Sequence, residues 1–360
     1  MAVVYHRHAY GDRDRRDMDA NDPSNDPSDD DGTNSDTSED VVEVAPNEIP
    51  GYFQERGGRL FHSHGGCPYP LPVDAEEQQR LNGLSALVRR LIGDSSVGPV
   101  RDLLALAPGE QRRVVDLGTG TGQWVLDMAR EFPHVRIYGV DIVPIATRYP
   151  PPNVTFEMHD IMTPLRYAAG SIDMVHARSI TMAVSAFPRM FGRPLNSGMQ
   201  VRDYRALIQE ASRMLRRGGL FVSCEWARSP AMEDGSDVRV RAPRACAFFD
   251  AVRETLRVRR GLECVAAHIP QLLVESRRFI SVETKAFHVP VGDWPNEPDR
   301  KELGRDLREL MVLYARSVFP LLSEGPSARY AGALVEDYIR EIRSVSGMVA
   351  TCYTVHARRV

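Results

Sequence analysis

The chain has 360 residues, 42% of them hydrophobic, and a formal net charge of −4. That is enough apolar material for a full core without disulfide or metal staples. It is too little charge of either sign to draw the chain onto nucleic acid or an anionic membrane.

The five cysteines, Cys67, Cys224, Cys246, Cys264 and Cys352, are widely spaced and form no C-x-x-C pair. Neither a zinc site nor a disulfide framework is expected, and the odd number suits a reducing compartment. Met1 to Arg16 is polar, without the apolar stretch of a secretory signal. No apolar run approaches the length of a membrane span. The expected location is intracellular, cytoplasmic or nuclear, with no metal, no membrane and no direct nucleic-acid contact.

Residues 1–48 read as a disordered acidic tail. From Asp17 to Glu43 the chain is rich in Asp, Ser, Asn and Pro and has no Lys or Arg, so it buries too little apolar surface to offset its ordering entropy. Residues 49–110 read as an extended segment and helices covering the core. Tyr52, Phe53, Phe61, Tyr69, Pro70 and Pro72 mark the extended part. Asp74 then precedes Glu76 and Glu77, and Leu81, Leu84, Leu87, Val88 and Leu91 recur at helical spacing. This predicts an amphipathic helix with Asp74 as its N-cap.

Residues 111–360 carry the main domain. Short β-branched runs predict strands at Val114–Leu117, Arg136–Val140, Val154–Met158, Ile172–Ala177 and Leu220–Cys224. Helical periodicity lies between them at Trp124–Glu131 and Tyr204–Leu215. Runs at Ile280–Val289 and Ala350–Ala357 are expected to pair antiparallel at one edge, with a helical insertion at about 299–345 between them. Strands joined by helical crossovers give an α/β fold, doubly wound and Rossmann-like: a mostly parallel seven-stranded sheet with helices on both faces, plus helical additions.

The most specific motif is Val114-Val115-Asp116-Leu117-Gly118-Thr119-Gly120-Thr121-Gly122. A buried strand runs into a glycine turn, and a helix starts directly after it. Glycine permits positive φ and lets a ligand approach the backbone, and the helix N-terminus offers free N–H groups. A dinucleotide fingerprint, G-x-G-x-x-G, would need glycine at position 123, which is Gln123. The third glycine is Gly122 instead, and Asp116 stands two positions before the first. A carboxylate there suits a ligand bearing an ammonium and repels a pyrophosphate. A nicotinamide-dependent oxidoreductase is therefore disfavoured.

Asp141 closes the second strand, where an acid accepts ribose hydroxyls in doubly wound folds; the alternative is a cap for the turn at Pro144. The third strand runs into His159-Asp160-Ile161. Asp160 is a candidate for the exocyclic amine of adenine, with Ile161 against the ring, or else a turn residue. The fourth strand ends in His176-Ala177-Arg178. His176 is either a general base or a satisfied strand histidine, and Arg178 is a candidate to hold a carboxylate or phosphate. No catalytic triad is visible.

Taken in order, the glycine motif, Asp141, Asp160 and the turn Leu215-Arg216-Arg217-Gly218-Gly219 resemble the class I S-adenosylmethionine (SAM)-dependent methyltransferases. That resemblance implies SAM as cofactor, with Asp116, Gly118, Gly120 and Gly122 around its methionyl part, Asp141 on the ribose and Asp160 on the adenine amine. A closer resemblance runs from about residue 58 to the end, to the fungal LaeA-type methyltransferases. It rests on Gly58-Arg59-Leu60-Phe61-His62, Tyr69 to Asp74, Glu77, Arg80-Leu81, Asp127-Met128-Ala129 and Val291-Gly292-Asp293-Trp294-Pro295. Two features depart from it: Thr181–Phe191 is less aromatic than usual, and Arg217 replaces a customary Pro. The resemblance implies a role in fungal secondary metabolism, either as an enzyme methylating a small molecule or protein, or as a SAM-binding regulatory subunit with little turnover and protein partners.

Overall fold

The computed structural model of the chain describes residues 5–8, 41–147, 149–184 and 203–360, with side chains from Val44 onward. In chain order its strands are β1 (Tyr5–His8), β2 (Val41–Val44), β3 (Phe53–Arg56), β4 (Arg59–His62), β5 (Arg113–Leu117), β6 (Arg136–Asp141), β7 (Val154–Met158), β8 (Ile172–Arg178), β9 (Leu215–Met232), β10 (Phe279–Pro290) and β11 (Met348–Arg359). The helices are α1 (Ala75–Ile92), α2 (Val100–Leu103), α3 (Gln123–Glu131), α4 (Tyr204–Met214), α5 (Val238–Arg241), α6 (Pro243–Thr255), α7 (Ile269–Glu275), α8 (Pro298–Ser317), α9 (Phe319–Ser323) and α10 (Ala331–Ser344).

The main sheet has the order β10-β11-β9-β8-β5-β6-β7-β1-β2. Strands β5 to β9 pair in parallel. The run β10–β11 joins β9 antiparallel, as the two late apolar runs predict. Seven strands, from β10 to β7, are the expected sheet. The difference lies at the far edge, where two short pieces of the stretch read as a tail extend it to nine. The free edge of β7 pairs in parallel with β1, and β1 pairs antiparallel with β2. The rest of that stretch, residues 1–4 and 9–40, lies outside the described residues.

Alternation along the strands sorts the core onto two faces. Val115, Leu117 and Val175 join α4 and α7 on one face. Val114, Ile137 and Met174 join α2 and α3 on the other. A third cluster, built from α6, α8, α9 and α10, forms a helical cap against which α1 packs. Asp74 caps α1 as predicted, accepting from Glu77 N at 3.2 Å, and its carboxylate is also paired with Arg59 at 2.6 Å. Among the described residues no helix is long and apolar enough to cross a membrane.

The chain adds strands on one side of β5 with β6 and β7, and on the other with β8 and β9. Between β5 and β8 the order reverses. In open α/β sheets the crevice at the carboxyl ends of strands beside such a reversal is where ligands bind.

Candidate functional site

A cavity of about 1170 Å³, open mouth included, lies at that point. The loops after β5, β6, β7 and β8 form one side of it; α1 and the segment from His62 to Val73 form the other.

Gly118, Gly120 and Gly122 all have positive φ, at 71°, 56° and 75°, but the space around them differs. A Cβ on Gly118 would stand 2.6 Å from Ile180, and one on Gly122 2.6 Å from Phe156. These two glycines let the turn pack against its own fold. At Gly120 a Cβ would meet only a Leu81 methyl at 4.0 Å. The backbone there borders open cavity, the arrangement a closely approaching ligand requires.

Asp116 is buried at the end of β5, and its Oδ1 lies 2.7 Å from His176 Nδ1 on β8. The His176 ring stacks on Trp124 of α3, with centroids 3.7 Å apart and an interplanar angle of 9°. Burial holds this imidazole below its ordinary pKa, against the opposing pull of Asp116. The neutral ring therefore donates Nδ1–H to the carboxylate and orients it toward the cavity.

Asp141 is half-buried. Its Oδ2 accepts from Gly120 N at 2.7 Å and its Oδ1 from Val143 N at 3.2 Å. Burial pushes its pKa up to about 6, although the N–H groups of Gly120, Val143 and Ile142 oppose the rise. Asp160 accepts from Met162 N at 3.1 Å, and Ile161 is buried beside it on the same wall. Arg178 donates from Nη2 to Ser85 of α1 at 2.8 Å.

Of the predicted site residues, Asp116, Gly118, Gly120, Asp141, Asp160, Ile161 and Arg178 thus share one cavity. Gly122 is the residue preceding α3, and His176 stands behind Asp116; neither lies on the wall. Sequence reasoning did not assign Tyr69, Leu81 and Leu84 to the site, nor Ser179, a non-glycine residue with φ of 58°. The first three belong to segments read only as a cover and an apolar helix stripe. Part of the Thr181–Phe191 stretch, residues 185–191, lies outside the described residues.

A family model described as a methyltransferase domain matches residues 89–266, from the end of α1 through most of the parallel sheet. The chain is 30% identical over 301 residues to the secondary metabolism regulator laeA of Coprinopsis cinerea, spanning 80% of this chain and 69% of that protein. The chain belongs to the LaeA-type methyltransferases. Methyltransferase pytC of Aspergillus terreus is 27% identical over 71% of each chain. The secondary metabolism regulator LAE1 of Cochliobolus heterostrophus is 26% identical over 69% of this chain and 74% of its own. As a member of this family the protein has SAM as its cofactor.

The residues present fit that cofactor. Three carboxylates, Asp116, Asp141 and Asp160, face the cavity against one guanidinium, Arg178. Such a surface favours a ligand carrying a sulfonium and an ammonium. The Thr119 hydroxyl on the same wall is buried without a hydrogen-bond partner among the described residues, and Gly120 leaves the approach to the backbone open.

Proposed function

We propose that this protein catalyses methyl transfer from SAM to an acceptor in fungal secondary metabolism. Asp116 and the glycine loop hold the methionyl part, Asp141 takes the ribose hydroxyls, and Asp160 and Ile161 take the adenine. The observation that carries this reading is the convergence of those residues on one acidic cavity at the carboxyl edge of the sheet. Bound SAM supplies an electrophilic methyl group on a sulfonium, whose departure as a thioether needs no protonation. The protein's share is orientation and exclusion of water. The His176–Asp116 hydrogen bond positions the carboxylate, Gly120 admits the ligand to the backbone, and α1 closes the opposite wall.

A second reading, a SAM-binding regulatory subunit acting through protein partners, is supported by the names of relatives described as regulators. Under either reading we assign the protein to the cell interior, cytoplasmic or nuclear.

One experiment tests both. SAM and S-adenosylhomocysteine should raise the melting temperature and NAD should not; stabilisation at a hundred times the dissociation constant is about 2.7 kcal/mol. Gly120→Val places a branched side chain in the open space and should abolish that shift, while circular dichroism shows a folded protein. A melting shift with NAD and none with SAM sinks the cofactor reading. A folded, SAM-blind variant that retains its full cellular effect rejects the enzyme in favour of the regulatory subunit.

A further inference from the structure

We propose that a second cavity beside the first is the acceptor pocket, and that it takes a small, uncharged, largely apolar molecule whose hydroxyl gives its proton to Glu225. The inference rests on the cofactor reading above and adds the substrate class to it.

This cavity measures about 740 Å³ with its mouth. Tyr69, Leu81, Leu84 and Ser179 line both cavities, so the two meet at the carboxyl end of β8. Ser179 holds φ of 58° at that junction. Side chains in this conformation are costly and concentrate at ligand sites. Beyond the junction the walls are apolar, from Leu71, Met182, Phe249, Leu307, Leu310 and Met311.

Polar groups enter in one place, on β9 and opposite it. Glu225 is 1% exposed and accepts from Ile180 N at 2.8 Å and from the Thr181 hydroxyl at 3.0 Å. Burial pushes its pKa up to about 7 despite those donors and the nearby Arg228. Trp226 Nε1, Arg228 Nε and the Tyr314 hydroxyl, all on lining residues, have no hydrogen-bond partner among the described residues. Glu225 also accepts from the Thr181 backbone N–H, so the three Ile180 and Thr181 donors all come from the loop after β8. A carboxylate poised near neutrality in an apolar pocket is suited to accept a proton.

The charge balance selects the acceptor. Arg80 is already paired with Glu77 at 2.5 Å, and Arg228 stands by Glu225. A lysine or arginine side chain entering the pocket would lose its hydration and meet, beside the Glu225 carboxylate, the like charge of Arg228. A hydroxyl on an apolar frame loses little on entry. In the reaction the acceptor oxygen attacks the methyl carbon and the carbon–sulfur bond breaks. The hydroxyl proton passes to the Glu225 carboxylate, leaving a methyl ether and neutral S-adenosylhomocysteine.

The test uses the full chain loaded with S-adenosylhomocysteine and titrated with 2-naphthol, followed by its fluorescence. Saturable binding is expected. Met311→Trp and, independently, Ala227→Leu fill the cavity and should each weaken it by about tenfold or more, with SAM affinity held within about threefold. At pH 8 the hydroxyl compound should bind about tenfold or more tighter than 2-methylnaphthalene, because an ionised Glu225 accepts its hydrogen bond. That preference should fade as pH falls through about 7, the value to which burial raises Glu225. Among the described residues the other ionisable groups around the pocket and Glu225 are Arg228, Tyr69, Tyr204, Tyr314, the Arg80–Glu77 pair and the Cys224–Cys352 pair. Glu225→Gln separates their titration from its own and should make the preference independent of pH.

Absent binding to a protein that binds S-adenosylhomocysteine overturns the pocket. So does binding untouched by both filling variants. A wild-type preference that does not change with pH overturns the role of Glu225. Wild-type protein that fails to bind S-adenosylhomocysteine sinks the cofactor reading itself, and the pocket with it.

Discussion

Asp141 has two tasks for one carboxylate. It already accepts the N–H groups of Gly120 and Val143, fixing the glycine turn against β6, and under the proposed function it also takes the ribose. Its raised pKa of about 6 gives the sign of a pH effect. The folded protein holds the Asp141 proton to higher pH than the unfolded chain does. Stability from this group is therefore present at low pH and lost as pH rises from about 4 to about 6, by at most about 3 kcal/mol. Asp141→Asn should flatten that slope in urea unfolding at pH 4.5 and pH 7. It should also weaken SAM binding about ten- to a hundredfold, as loss of a charge-assisted hydrogen bond does. An unchanged slope would mean the carboxylate is not desolvated. Asp141 and the glycine turn were legible because their meaning lies in residues adjacent in the chain. The contact that gives His176 its place was not. Parallel pairing sets it opposite Asp116, 60 residues away, and no local pattern reports which strands will be neighbours.

Helix α1 precedes the doubly wound sheet, yet it lines both cavities. Leu81 and Leu84 face each of them, Ser85 and Val88 only the first, and Arg80 only the second. What holds it there is polar and buried. Glu77 pairs with Arg80 inside the helix and accepts the Ser317 hydroxyl of α8 at 2.6 Å, across 240 residues of sequence. Removing one member of a buried pair strands the other charge, so Glu77→Gln should destabilise the protein by about 3–5 kcal/mol. Adding Arg80→Met should recover much of that loss, because the stranded guanidinium is gone. A double variant no more stable than the single one would show that the pair contributes through Ser317 alone. Denaturant midpoints decide it. The helix itself was readable from the Asp74 cap and the leucine stripe. Its role as a wall was not, because the periodicity says which face is apolar and not what the face meets. The edge strands β1 and β2 escaped for a related reason: their pairing depends on the open edge of β7, and composition alone reads the surrounding stretch as solvated.

At the scale of the molecule the sequence declared one half of the chemistry. The parallel strands, their order of acids and the glycine turn follow one another in the chain, and the fold collects their ends at a single reversal of strand order. The second cavity draws instead on Leu71, Met182, Glu225, Phe249 and Leu307. These residues come from segments with no shared motif, and only tertiary packing joins them. The common wall of the two cavities also carries a thermodynamic obligation. Tyr69, Leu81, Leu84 and Ser179 must be ordered for either ligand, so whichever ligand arrives first meets that cost and spares the second. Coupling of this kind is reciprocal and typically about 1–3 kcal/mol. The factor by which saturating 2-naphthol tightens S-adenosylhomocysteine binding should equal the factor by which S-adenosylhomocysteine tightens 2-naphthol binding. Two cavities that ignored each other would return a factor of one in both titrations. A factor well above one would mean that four shared side chains favour the doubly loaded protein over either singly loaded form, whichever ligand enters first.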